Sequence, residues 1–599
     1  MADLVIRSAQ GGHRMIVGVD YGTTTSGISF VGSDKSILTD INVIKSWPGY
    51  PYVALKAPSV IAYAHEEKNR GKITQNQWGF QVTPKLRSYQ WTKLLLDDDI
   101  DLTEFDDKSV KELHGDGFLA LPPRKTAKDV CADYLAELYK CMMAKLEKEL
   151  NAHVLGVTPL EIWVTMPAIW SDKAQVATRD AAKKAGFGSR PGDKLFMIPE
   201  PEAAALVAMK PHLGFGTLDP IDVGECILVC DCGGGTVDIA TYVIDAVKPR
   251  LKFRELCLGM GGKCGSTAID RNFIKWMERK FGSYYTSLPL EKRRLGSKAM
   301  VEFERQKRNF RGAGGQSSFD IENMDMDAPD SDIFDRDEGT VKLSRSDMQS
   351  LFDPVMDDVI RLVSQQAEVG ERMSGRKLDR LILVGGFGDS DYLHSKMKAW
   401  CLSHGNTQLT CPEDCQSAIV RGAALRGLEG TRPDVFFAKR HYGWSWGEPF
   451  REGIDNEKNA YTDDYDGKKY CRGRMHWVIS KGQELLPDSV FARNVQLSMD
   501  PAHTTLAERK STLQLFSCSF TEPPEREEHY SCQKNGVLET DFGDVSLTKV
   551  ESKYNSYLER KLYMYRFEVE VRIKADDGVL GFRSRGYGQQ RGNTPVTFD

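Results

Sequence analysis

Residues 18–27 read GVDYGTTTSG, and residues 228–238 read LVCDCGGGTVD. In each, an apolar run ends at an acid, Asp20 or Asp231, and the chain then turns through glycine and threonine. Apolar sequence resumes after each turn, as ISFVG and IATYVI. Both phrases therefore read as a buried strand, a tight turn and a second strand. Glycine permits positive φ and removes the side chain that would keep a ligand off the backbone. Successive N–H groups in such a turn form a concavity for an anion. Gly22, Thr23 and Thr24 in the first turn, and Gly233, Gly234, Gly235 and Thr236 in the second, are candidate phosphate contacts. A carboxylate repels phosphate, so Asp20 and Asp231 make sense if Mg²⁺ stands between them and the anion, held through its water shell. The expectation is a pair of facing turns that clamp a polyphosphate and its metal.

One Asp-x-Gly-Thr is a weak signal, because many strands end at Asp-Gly for turn reasons alone. Two copies in the same strand–turn–strand setting are much less open to accident. No GxxxxGK[ST] loop is present. Both glycine turns lead into strands rather than helices, which argues against a Rossmann site. The repetition predicts two related α/β lobes, over 14–220 and 221–430, after an N-terminal tail at 1–13. A third glycine site, ILVGGFGDS, also follows an apolar strand. There Gly385 and Gly386 would admit a flat group such as adenosine, and a plain turn is an equal alternative.

Composition limits the remaining possibilities. The 599 residues are 41% hydrophobic and 28% charged, as in ordinary globular proteins. A net charge of −5 predicts no overall pull towards nucleic acid. No apolar run approaches the roughly 20 residues of a membrane span, and the first residues lack the apolar core of a signal peptide. The 13 cysteines are odd in number and none forms a CxxC pair, and no N-x-S/T acceptor occurs. A reduced, cytoplasmic setting is expected, with Cys230 and Cys232 as core residues.

Helical spacing marks 126–150, opened by a Thr126–Asp129 capping box, and 171–186. Further helices are expected from residue 200 and over 266–281, 291–310, 346–367 and 391–404. The acidic stretch MDAPDSDIFDRDEG at 326–339 reads as a solvated loop. After about residue 435 the pattern changes to strands. In RFEVEVRIKADDGVLGFRS, Phe567, Val569, Val571 and Ile573 share one face, and Arg566, Glu568, Glu570, Arg572 and Lys574 share the other. Asp577-Gly578 then reads as a hairpin turn. Residues 431–599 are expected to form a small β domain.

Taken in order, these motifs resemble the ATPase domain of the heat-shock 70-kDa (DnaK-type) chaperones, over roughly 14–430. DYGTTTSG and DCGGGTVD resemble the two phosphate loops, VTMPAIW with ATRDAAKKAG and PEPEAAA the connecting segments, and LVGGFGDS the adenosine motif. The resemblance implies a two-lobed actin-like ATPase (ribonuclease H-like) fold, α/β in class, followed by a smaller β-sandwich-like domain. It implies ATP and Mg²⁺ as ligands, with Thr23 and Thr24 on phosphates. Lys93, in WTKLLLD, would position the attacking water, and Glu200 would stand near metal and water. Asp20, Asp231 and Asp238 would surround Mg²⁺. FERQKRNF resembles the helix that brackets the nucleoside, which assigns Glu304, Lys307 and Arg308 to it.

The chain also departs from the family pattern. Phe387-Gly388-Asp389 replaces a Ser-Thr-Arg whose arginine would stack on adenine, and Gln175 stands where a coupling arginine is expected. GLEGTRPDVFFAKRHYGW replaces the acidic, leucine-rich interdomain linker. These departures resemble the divergent member-12-like branch. The resemblance implies a chaperone-like ATPase whose partners are ATP, ADP and unfolded polypeptide or a client protein, with no nucleic acid or membrane. A non-hydrolysing nucleotide sensor or scaffold, and a small-molecule kinase of the same superfamily, are the alternatives.

Overall fold

The computed structural model describes residues 13–97, 119–213, 219–248, 251–312, 314–429, 436–486, 489–500, 509–573 and 580–595. The tail at 1–12, the linker stretch 430–435 and the turn Asp577-Gly578 lie outside the described residues. The chain divides into two compact units. One comprises Met1–Trp170 with Ala177–Pro433, and the other Ser171–Val176 with Asp434–Asp599.

The larger unit contains two sheets of one plan. In the first, β1 (Met15–Tyr21) pairs antiparallel with β2 (Thr25–Gly32), and β2 with β3 (Asn42–Val43) and β4 (Ala57–Pro58). On its other side β1 runs parallel to β5 (Leu160–Met166), which runs parallel to β6 (Lys194–Pro199). In the second, β7 (Cys226–Cys232) pairs antiparallel with β8 (Val237–Ala246), and β8 with β9 (Lys252–Gly262). On its other side β7 runs parallel to β10 (Arg380–Val384), which runs parallel to β11 (Gln408–Thr410). Every residue of β1 and of β7 is buried. A strand with a parallel neighbour and both faces covered reads as a continuous apolar run, and this is why MIVGV and CILVC carry no alternation.

Between the sheets lie α1 (Glu200–Met209) and α3 (Ala418–Glu429), both rich in alanine. Their small residues share one core with Ile16 and Val31 of the first sheet and Ile227, Val229, Ile382 and Val384 of the second. The approach is close enough to demand glycine. A Cβ at Gly422 of α3 would fall 1.8 Å from the Ala203 carbonyl oxygen of α1, and one at Gly18 of β1 would fall 2.4 Å from the Val420 carbonyl oxygen. Ser29 Oγ, on β2, donates to that same Val420 carbonyl at 2.7 Å.

Two expectations for this unit need correction. The helix expected over 291–310 is two, Leu290–Arg293 and α2 (Lys298–Asn309). The break falls at Gly296, which adopts a φ of +85°. The acidic stretch 326–339 is not merely a solvated loop. Met326, Ala328 and Phe334 are buried in the core of the second half, and Phe334–Asp335 pairs with Thr340–Ser344. Its other side chains are largely exposed, so charge density concealed three apolar anchors.

The smaller unit is built of strands. One sheet has the order Ala460–Thr462, Lys469–Ile479, His441–Pro449, Lys510–Cys518, Gln533–Asp541. The other has Val490–Met499, Arg560–Ile573, Leu580–Gly586, Gln589–Pro595, with Glu551–Asn555 beside Arg560–Ile573. Trp444, Leu515 and Leu538 of the first share a core with Tyr565, Phe567, Val569 and Val571 of the second. Over the described residues 566–572 the alternation read from the sequence holds except at Glu570. That residue is buried on the outer face, because Arg572 and Arg583 close over its carboxylate at 3.0 and 2.5 Å.

No helix among the described residues is long and apolar enough to cross a membrane. All 13 cysteines are free, with Cys230 and Cys232 in the core.

The helix contact at Gly422 is directly testable. Alanine has the higher helix propensity, by about 1 kcal/mol, and would stabilise an exposed position. Here the clash should dominate, and Gly422→Ala should destabilise the larger unit by about 1–3 kcal/mol, read as a lower thermal unfolding midpoint. A raised midpoint would show that α1 and α3 are not packed this closely.

Candidate nucleotide site

The two turns meet. A Cβ built on Gly234 would fall 2.2 Å from Thr24 Oγ1, and one on Gly235 would fall 2.9 Å from Thr23 Cγ2. The turns at 22–24 and 233–236 are thus apposed, with threonines of one against the bare backbone of the other. None of Gly22, Gly233, Gly234 and Gly235 has a positive φ. These glycines serve close approach, not the unusual backbone conformation that the sequence also allowed. Gly233 N–H closes the second turn on the Thr236 carbonyl at 2.9 Å. The Gly234 carbonyl accepts from Thr267 N–H at 2.9 Å and from its Oγ1 at 2.8 Å.

Acidic side chains collect at the ends of the buried strands. Asp20 is 2% exposed, Asp231 5% and Asp238 1%. Asp231 and Asp238 stand directly opposite each other in the β7–β8 ladder. Like charges in that position repel. Burial, then Glu200, then Asp238, lift the Asp231 carboxyl well above the usual carboxylate range. Its Oδ1 is buried and has no hydrogen-bond partner. Glu200, the first residue of α1, is raised by burial, with Asp20 adding to this and Lys93 opposing it.

Lys93 is held from three sides. Its Nζ donates to Glu200 Oε1 at 2.8 Å and lies 5.6 Å from the Tyr21 ring centre and 5.1 Å from that of Trp170. Such faces attract a desolvated ammonium. Lys93 sits on a short 3₁₀ turn, Thr92–Leu96, which follows Trp91 at φ +63°. A bulky residue in the left-handed region is costly and marks an over-determined site.

The third glycine site belongs to this cluster. Gly385, at φ +87°, would place a Cβ 2.4 Å from Asp231 Oδ1 and 2.3 Å from the Cys232 carbonyl oxygen. Glycine is needed there to make room for Asp231. Gly386 faces open space. Beyond it, burial raises Asp389, while hydrogen bonds from Cys415 and Gln416 and the attraction of Arg308 act the other way.

Of the nucleoside candidates on α2, Lys307 is nearly buried, with Nζ 2.7 Å from Asp270 Oδ1 and 2.5 Å from Glu304 Oε2. Arg308 is exposed and pairs with Glu304 at 2.8 Å. Burial pushes Asp270 up to about 6, against the opposing pull of Lys307.

Several residues of the cluster carry no motif. Lys56 Nζ donates to Asp20 Oδ2 at 2.5 Å, and Thr165 Oγ1 donates to Asp20 Oδ1 at 3.1 Å. Asp270 is a third. A lysine in an edge segment, a threonine near a strand end and an aspartate within a helix leave no mark in sequence.

A divalent cation fits the acids present. Asp231 Oδ1 is an orphaned buried oxygen in a surplus of negative charge. Among the described residues no group of three His, Cys, Asp or Glu side chains is gathered tightly enough to hold a metal directly.

Apposed glycine turns on twin sheets, with buried carboxylates and a fixed lysine nearby, form a mixed α/β architecture consistent with an actin-like ATPase fold. A family profile described as Hsp70 protein matches residues 16–428, and the chain belongs to that family. It is 24% identical to human heat shock 70 kDa protein 12A, across 91% of this chain and 87% of that protein. The mouse 12A protein is 23% identical over 80% of this chain and 79% of its own length. The chaperone protein DnaK of Burkholderia cenocepacia is 24% identical over 70% of this chain and 60% of its own length. Membership supports an ATP-binding, chaperone-like protein.

The buried aspartate gives a pH test with a definite sign. A carboxyl whose folded pKa is raised binds its proton more readily in the native state, so stability falls as pH rises from the unfolded value of about 3.9 through the folded one. Asp231→Asn removes that penalty. Without nucleotide it should raise the thermal midpoint at pH 7.5, and the gain should shrink as pH falls towards 4. An equal or lower midpoint at pH 7.5 would contradict the charge crowding described here.

Proposed function

We propose that the chain binds Mg-ATP between the two turns, hydrolyses it slowly and passes the nucleotide state to the C-terminal β domain. The observation that carries this reading is the apposition of Thr23 and Thr24 with Gly235 and Gly234, with Asp20 and Asp231 buried beside them. The domain limits follow the same reading: lobes at 14–220 and 221–430, and a β-sandwich-like, client-reading domain at 431–599.

In this mechanism the backbone N–H groups and threonine hydroxyls of both turns take the phosphate oxygens, which positions the chain of phosphates for in-line attack. When bound, Mg²⁺ supplies neutralising charge between the carboxylates and the phosphates. Lys93, fixed by Glu200 and two aromatic faces, orients the attacking water. The water oxygen bonds to the γ-phosphorus, the bond to the β–γ bridging oxygen breaks, and ADP and phosphate leave. The proton of that water passes to Asp231 or Glu200, whose raised affinity for a proton suits a base working near neutral pH. Glu304, Lys307 and Arg308 flank the nucleoside.

A second reading is a nucleotide sensor that does not turn ATP over. Asp389, where the family has a stacking arginine, favours it, because an acid there attracts Arg308 and supplies no guanidinium to stack on the base.

Single-turnover phosphate release separates the two. Wild type should release phosphate, while Lys93→Ala and Asp231→Asn should each slow release by about 100-fold or more and leave ATP affinity within about threefold. ATP at about 100 times its Kd should stabilise wild type by roughly 2.7 kcal/mol. Binding without phosphate release over hours would replace the ATPase by the sensor.

A further inference from the structure

Lys56 pairs with Asp20, one of the two carboxylates expected to face a metal. It precedes β4, the two-residue strand on the far side of β2 from β1. Its stem crosses Gly27, to which its Cγ would stand 3.2 Å from an added Cβ. Gly27 is the direct ladder partner of Asp20. The missing side chain at Gly27 therefore opens the route by which the ammonium reaches Asp20 Oδ2 at 2.5 Å.

Two features suggest that this is more than a structural ion pair. First, an ammonium has three N–H donors, and Asp20 is its sole hydrogen-bond partner among the described residues. Second, the charge around it is not balanced. Lys56 and Lys93 face Asp20, Glu200 and Asp231, and Lys93 is already committed to Glu200.

Resting on the proposed nucleotide site, we propose that Lys56 is a built-in cation of that site, bridging Asp20 to the triphosphate and making nucleotide binding only partly dependent on divalent metal. Lysine binds phosphate as a point charge, where a divalent ion would otherwise supply all of the neutralisation. Metal and Lys56 are then partly redundant, and removing either alone costs less than their joint removal.

The test is ATP affinity by calorimetry, with saturating Mg²⁺ and with excess EDTA, for wild type, Lys56→Met and Lys56→Arg. A charge-assisted bond is worth about 1.5–3 kcal/mol, or roughly 10- to 100-fold. Lys56→Met should lose about that factor in EDTA and less than about threefold in Mg²⁺, and Lys56→Arg should keep most of the metal-free affinity. Equal losses in both conditions, or none, would overturn the proposal. Should Lys56→Met fail to fold by thermal unfolding, wild type still decides. Metal-free affinity within about 100-fold of the Mg²⁺ value supports the proposal, and any larger loss overturns it. Absence of ATP binding to wild type in either condition would overturn the nucleotide site itself, and this inference with it.

Discussion

The placement of charge at the buried ends of two central strands governs this structure. β1 and β7 are covered on both faces, so the aspartates that end them cannot be fully hydrated. Asp231 then faces Asp238 across its ladder and shares its surroundings with Glu200 and Asp20. A fold that served only stability would place apolar residues there, since a buried carboxylate without full pairing is costly. The arrangement becomes intelligible once a cation and an anion are brought to it. The glycines that let the turns touch and the lysine pinned by two aromatic rings are then parts of one device.

The sheets were legible because their central strands are continuous apolar runs broken at one acid. The same strand order and sense recur in both halves, which explains why the phrase repeats while the rest of the sequence does not. Other features escaped for local reasons. Gly18 and Gly422 are required by helices that pack across them, and such contacts between distant segments leave no local pattern. Lys56 stands in a segment with two paired residues, far from any motif, and reaches Asp20 only because Gly27 is bare. Glu570 alternates with its neighbours as an exposed residue should, yet arginines from its own and the next strand bury it. The stretch 326–339 shows the converse, in which abundant carboxylates hid apolar anchors.

In the proposed site the two ends differ. At the phosphate end the two turns, Lys93 and the buried acids stand together. At the other end Asp389 stands near Arg308, which is itself paired with Glu304. On the proposed reading a base would share Arg308 with Glu304, its partner at 2.8 Å.

The central claim is that the two turns hold one triphosphate from opposite sides. A crystal structure with Mg²⁺ and a non-hydrolysable ATP analogue tests it most directly. Phosphate oxygens should be bonded to backbone N–H groups of both 22–25 and 233–236, with the Asp20 and Asp231 carboxylates directed at the same hydrated cation or at Lys56. A triphosphate bound by one turn alone, or seated elsewhere on the molecule, would contradict the account.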